Sequence, residues 1–340
     1  MSGALGGIAV LDLSENIAGQ FCGRLLADFG AAVTLIEPPG GSAVRRIGPF
    51  DAGAPPQSLL FFHLNTGKRS VAIDRARDGA AVLCALAARA DVALVGTEAD
   101  RAQLRGANPR LIIGLTTPLG DSVGDGGPLA GWKSSEMILQ ALSGMMHNNG
   151  DLGRPPLYGC GQRASYAAGV ASYIGVVAAL VARRAGAPGQ DVSVDAAETA
   201  AAMGFPYVMQ HIYNGAIRRR GDQTQPVARV LCRDGWLCIW IYNHRYATAC
   251  RTLGVPELID DPRFKAPLER LRNWDALNAI LQQRLAERNA EEIVEQLQTA
   301  QIIAAKASRP SELRHDRHLA ARGYWAVSYT HLTLPTNREV

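Results

Sequence analysis

The sequence predicts an α/β protein, a doubly wound parallel sheet in a large domain followed by a smaller α+β domain. Three observations carry this. Short apolar runs that read as buried strands alternate with helical stretches. The connections between them are short and closed by Gly or Pro. At 340 residues, the chain also exceeds the size at which single cores usually stop growing.

In chain order, GIAVLDLS (Gly7–Ser14) reads as the first buried strand. AGQFCGRLLADFGA follows with Phe21, Leu25, Leu26 and Phe29 at helical spacing and stops at Gly30. AVTLIEPP is a second strand, halted by Pro38 and Pro39, and the three together form a βαβ unit. The alternation continues with SVAID (Ser70–Asp74) as strand, DGAAVLCALAARA as helix, and DVALVG and RLIIGLTTP as strands. SSEMILQALSGMM and the long SYAAGVASYIGVVAALVARRAGA read as helices. DVSVDAAET is a strand running into one helix that carries Met203 to Tyr213. The polar, basic stretch Asn214–Gln225 reads as a linker or active-site loop. Beyond it WLCIWIY is a strand, HRYATACRTLG and NWDALNAILQQRLAER are amphipathic helices, and Asn289 with Glu292 gives a capping-box start to a third. The expected domains are 1–215 and 216–326. From Val327 the text VSYTHLTLPTNREV departs in style and resembles a translated sequencing-library adapter, so 327–340 is set apart as non-native.

Composition excludes some classes. A net charge of +4 with 19% charged residues gives no argument for nucleic acid or an anionic membrane, and only four of the 35 basic residues are lysines. The six cysteines form no CxxC and no zinc-ligand spacing, so buried reduced thiols and no metal are expected. The N-terminus has no positive n-region, and the run Ala164–Ala182, rich in Ala, Gly and Ser, reads as a buried central helix rather than a membrane span. A cytoplasmic location is expected.

A series of motifs in order over residues 7–325 resembles the family III CoA transferases (CaiB/BaiF), the superfamily of formyl-CoA transferase and α-methylacyl-CoA racemase. They are LDLSENIAGQFCGRLLADFGAAVTLIEPPGG, LNTGKRSVAID, RADVALVGT, LQALSGMM, AALVARRAGAPGQDVSVDAAE, LGVPELIDDPRF and RGYW. The resemblance implies a Rossmann-like large domain binding coenzyme A at the carboxyl ends of its strands. It also implies an interlocked homodimer, or a heteromer with an active homologue, acting on an acyl-CoA and a small carboxylic acid. In that family a C-terminal segment returns to the large domain; here it is expected to be truncated.

Phosphates of CoA call for cationic forks and backbone N–H groups. By resemblance Arg45 and Lys133 are the leading candidates, with Lys68, Arg69, Arg101 and Arg105 from matching basic segments; Gly96, Thr97 and Ile17 depart from the family pattern. Family III transfer is covalent. An aspartate attacks the thioester to give a mixed anhydride and CoA thiolate, and the thiolate returns to form an enzyme–CoA thioester. That aspartate lies four residues before a glycine, here Gly169, so its position is Ser165; no Asp or Glu occurs between Leu152 and Gln190. A serine would take the acyl group as an ester and could not hold CoA; pairing with His147 is conceivable. Glu136 either bonds the active-site backbone or caps the helix beginning at Ser134–Ser135. The racemase proton carriers are absent, since their positions read Ser165 and Ser135. The expected function is therefore acyl-CoA:carboxylate transfer with the aspartate replaced, or a degenerate CoA-binding subunit or half of a two-part transferase. A dinucleotide oxidoreductase is disfavoured because no G-x-G-x-x-G follows the first strand.

Overall fold

In the computed structural model, residues 3–77, 79–120, 128–129, 131–151, 153–220 and 226–325 are described. The expected 327–340 tail and residues 221–225 of the expected linker lie outside them. The chain divides into two compact units, Met1–Arg220 and Gly221–Val340.

In the first unit the elements are β1 (Ala9–Asp12), α1 (Ile17–Asp28), β2 (Ala32–Glu37), α2 (Leu59–Asn65), β3 (Arg69–Ala72), α3 (Gly79–Ala87), β4 (Val92–Val95), α4 (Glu98–Ala107), β5 (Ile112–Thr117), α5 (Glu136–Leu142), α6 (Arg163–Arg184), β6 (Asp191–Asp195), α7 (Ala196–Met203) and α8 (Phe205–Asn214). The six strands pair in parallel in the order β3-β2-β1-β4-β5-β6. This order reverses between β1 and β4, which opens a crevice at their carboxyl ends.

The two-residue period of β4 shows how the layers form. Val92 and Leu94 face α1 and α6 with Cys22, Leu26 and Val176, while Ala93 and Val95 face α3 and α4 with Leu83 and Leu104. α6 is long and apolar enough to cross a membrane by length and composition, yet Ala164, Ala168 and Val176 are fully buried in this unit's core. Its small residues let it lie close to α1. A Cβ on Gly169 would come within 2.7 Å of the Ala18 carbonyl, and one on Gly23 of α1 within 2.5 Å of Asp12 Oδ2.

That second contact belongs to a buried polar network. The side chains of Lys68 and Asp12 are 1% and 0% exposed and their charges meet at 2.7 Å. The remaining ammonium protons go to the Gln20 carbonyl at 2.7 Å and Asn65 Oδ1 at 2.9 Å, so all three are satisfied. Gln20 Nε2 donates to the Ser14 carbonyl and Ser42 Oγ, and Asn65 Nδ2 donates to Gln20 Oε1, joining β1, α1, α2 and the approach to β3.

The second unit holds β7 (Val227–Cys232), β8 (Gly235–Trp240), α9 (Tyr246–Leu253), α10 (Pro262–Lys265), α11 (Pro267–Arg272), α12 (Trp274–Leu285), α13 (Ala290–Thr299), β9 (Ile303–Lys306), α14 (Pro310–Leu313) and α15 (Arg317–Ala321). Its antiparallel sheet β7-β8-β9 packs Val230, Leu237 and Ile239 on Leu277, Leu281 and Ile293.

Several expectations change. The single helix through Met203–Tyr213 is two, because α7 ends at Gly204 and Pro206 sits in the first turn of α8, where its missing N–H costs nothing. α2, α4, β7, α10, α11, β9, α14 and α15 were not anticipated. Asn289 does cap α13, accepting from the Glu291 and Glu292 N–H groups. The cysteines are all free, but only Cys22, Cys232 and Cys250 are buried; Cys160 is exposed.

Removing one member of a buried ion pair strands the other. Lys68→Met is expected to destabilise the first unit by about 3–5 kcal/mol in urea unfolding followed by circular dichroism. The double change Lys68→Met with Asp12→Leu is expected to recover part of that loss, because no buried charge is then left alone.

Candidate active site

α6 is 22 residues long, and its first N–H groups point out of the helix without intrahelical acceptors. Gln162, at its N-cap, makes no side-chain capping bond. The cap comes instead from α5. Glu136 Oε1 accepts from the Ala164 N–H at 2.7 Å, and Oε2 accepts from the Ser165 N–H at 3.1 Å and from Ser165 Oγ at 2.7 Å. Gln140 Nε2 adds a fourth bond to Oε1 at 2.9 Å. Each carboxylate oxygen therefore accepts twice, and its lone-pair positions are filled. The helix dipole favours an anion at this end as well. Of the two readings of Glu136, the structure has it bonding the α6 backbone; its own helix is capped by Ser135, whose Oγ accepts from the Ile138 N–H.

Ser165, 9% exposed, and Glu136 line a cavity of about 550 Å³. Its walls come from the β1–α1 turn at Glu15 to Ala18, the end of β5 at Thr117 and Pro118, the head of α5, and Tyr158, Gln162 and Ala196. A second cavity of about 630 Å³ lies across the carboxyl ends of β1 to β4, between Glu37, Pro38, Asp74, Arg75, Thr97 and Asp100. Glu15, Asn16 and Pro118 line both. Asn16 is fixed at this shared wall: Oδ1 accepts from the Gly19 N–H at 2.8 Å and Nδ2 donates to the Thr116 carbonyl at 3.0 Å.

The expected cations do not all converge here. Arg45 forks onto Glu37 at 2.6 and 2.8 Å and lies 3.8 Å over the Phe61 ring; Glu37 in turn lines the second cavity. Lys133 is exposed, one residue before Ser134 of the first cavity. Lys68 is committed to Asp12 inside the fold. Arg69 opens β3 at the amino end of the sheet, and Arg101 and Arg105 both pair with Asp191 at the amino end of β6. None of these four lines either cavity. His147 is bonded to the Arg218 carbonyl through Nε2 at 3.1 Å and does not line the Ser165 cavity, so no Ser–His pair forms. Gly96, Thr97 and Ile17 do line the cavities. Sequence reasoning missed Arg75, which pairs with Asp100 in the second cavity, and Asn16, whose signal was its place as the N-cap residue of α1. Among the described residues, no group of three His, Cys, Asp or Glu side chains could hold a metal.

The model for "CoA-transferase family III" matches residues 5–338. The chain belongs to CoA-transferase family III. It is 30% identical over 329 residues to a protein of Mycobacterium tuberculosis named a "Probable fatty acyl-CoA transferase", covering 89% of this chain and 82% of that one. It is 31% identical over 304 residues to an acetyl-CoA:oxalate CoA-transferase of Acetobacter aceti, covering 85% and 76%. Among solved structures, a CaiB/BaiF family protein from Brucella suis superposes with a TM-score of 0.86 at 25% identity, over 95% of this chain and 89% of that one. The family III assignment and the parallel sheet with its small antiparallel companion agree with the sequence reading.

In this family III chain the buried Glu37 carboxylate also carries a pH signature. Burial alone would raise its pKa, but hydrogen bonds from Arg45, Ser70 and the Ser42 N–H, with the charge of Arg45, outweigh it and hold the group at about 2 against an ordinary 4.5. A depressed folded pKa gives stability that is present above pH 4.5 and lost as pH falls toward 2. Wild type is therefore expected to lose stability more steeply across pH 4.5 to 2 than Glu37→Gln, as read by urea midpoints at stepped pH.

Proposed function

We propose that this family III chain binds an acyl-CoA across the two adjoining cavities, with the thioester beside Ser165, and is the CoA-holding member of a two-part transferase. Its active homologue supplies the carboxylate for acyl-CoA:carboxylate exchange. The observation that carries this reading is the Ser165–Glu136 arrangement. Where the family resemblance calls for an aspartate there is a hydroxyl, and the neighbouring carboxylate is already saturated with four donors. An anhydride on Glu136 would strip an acceptor from the head of α6. A hydroxyl at Ser165 could take an acyl group as an ester but could not form an enzyme–CoA thioester, since the serine side chain has no carbonyl carbon of its own for the CoA thiolate to attack. For the CoA portion, the crevice at the strand carboxyl ends, with Arg75 inside it and Arg45 beside it, supports a nucleotide carrying phosphates.

One observation favours a second reading, thioester hydrolysis. Ser165 Oγ donates to a carboxylate at 2.7 Å, the contact of a hydroxyl with its base. In that reaction Oγ attacks the thioester carbonyl, its proton passes to Glu136 and CoA leaves as thiolate. Water then cleaves the acyl-serine ester.

Exchange of labelled CoA between an acyl-CoA and a panel of free carboxylic acids tests both. Wild type alone is expected to show no exchange and no acceptor-independent CoA release. Ser165→Asp is expected to raise exchange on the order of 10³-fold, the scale of restoring a nucleophile. Exchange by wild type, or a CoA thioester trapped on it, overturns the first reading; steady CoA release without an acceptor, abolished in Ser165→Ala, establishes the second.

A further inference from the structure

The chamber beside Ser165 mixes apolar side chains with uncharged polar ones such as Thr117, Ser134 and Gln162, and its charges are of one sign. Ile17, Ile47, Met137, Leu139 and Pro118 supply an apolar surface. The only ionisable side chains with full charges among its described lining residues are Glu15 and Glu136, and no lysine, arginine or histidine is among them. The four donors to Glu136 are an amide, two backbone N–H groups and a hydroxyl, and among the described residues no lysine or arginine forms an ion pair with it. Arg46, Lys133 and Arg163 adjoin the lining residues Ile47, Ser134 and Gln162 in sequence but are exposed and do not line the chamber themselves.

We propose that this chamber selects uncharged aliphatic acyl groups and rejects acyl groups that end in a second carboxylate. The inference rests on the reading above that a CoA thioester is bound there, and adds its acyl class. A terminal carboxylate entering the chamber would exchange water for apolar side chains and two like charges. Recognition of a carboxylate needs the opposite, a cationic fork or several aimed N–H donors. An alkyl chain meets no such cost and gains burial against the isoleucines, Met137 and Leu139.

Two inert thioethers of equal length separate the terms without any chemistry at the thioester: S-hexyl-CoA and S-(5-carboxypentyl)-CoA, titrated calorimetrically into the full chain beside free CoA. S-hexyl-CoA is expected to bind at least about tenfold more tightly than the carboxylated analogue. Glu15→Gln is expected to narrow that ratio by about threefold, because it removes one of the two repelling charges. Because Glu15 borders both cavities, the ratio rather than either affinity is read. Equal binding, or tighter binding of the carboxylated analogue, overturns the acyl-class inference while leaving CoA binding intact. Failure of both thioethers and of free CoA to bind overturns the CoA-binding reading and this inference with it.

Discussion

The candidate site hangs on one carboxylate. A helix of 22 residues begins without a capping side chain of its own, and its exposed N–H groups need acceptors in a place that water barely reaches. Glu136 reaches them from α5, and in doing so fixes the distance between α5 and α6 and the direction of Ser165. The same contact bears on the proposed chemistry. A carboxylate whose lone pairs are all engaged by fixed donors is an excellent anchor and a poor attacking group. The residue that joins α5 to α6 has all its acceptor positions engaged, and the position beside it holds a hydroxyl.

The frame around this contact is built to keep it still. α1 and α6 approach through Gly169, close enough that a single methyl would collide with backbone. On the far side of α1 the Lys68–Asp12 pair is enclosed by Gln20, Asn65 and Ser42 with each ammonium proton placed. Burial pulls the Lys68 pKa down while Asp12 pulls it back, so the pair is a demanding feature whose geometry leaves little tolerance. It ties the turn after β1, from which Glu15 and Asn16 project, to the rest of the sheet.

Much of the large unit was legible because its central strands β1, β4 and β5 are buried on both faces and so read as continuous apolar runs between Gly and Pro stops. α4 escaped because EADRAQLRGA buries little beyond Leu104 and has no apolar period to see; its Thr97 cap and Asp100 were the available signal. The break between α7 and α8 was masked by apolar residues on both sides of Gly204. At the site, the serine at the helix head could be read from its spacing to Gly169. The hydrogen bonds to Glu136 could not, since 29 residues and an irregular connection separate the two. The basic residues show the sharper limit. Lys68, Arg101 and Arg105 look like ligand-binding cations in a string of letters, and only the fold reveals that each has an acidic partner elsewhere.

Asn16 forms part of the partition between the two cavities, bonded on one side to the start of α1 and on the other to the end of β5. One molecule occupying both chambers would have to cross this short partition, with its nucleotide and its acyl end judged by neighbouring atoms of a single turn. Evolution could not then retune one recognition event without disturbing the other. Divergence in what such a protein accepts would be channelled toward the outer walls, at Ile47 and Met137, and away from the hub that both ends would share.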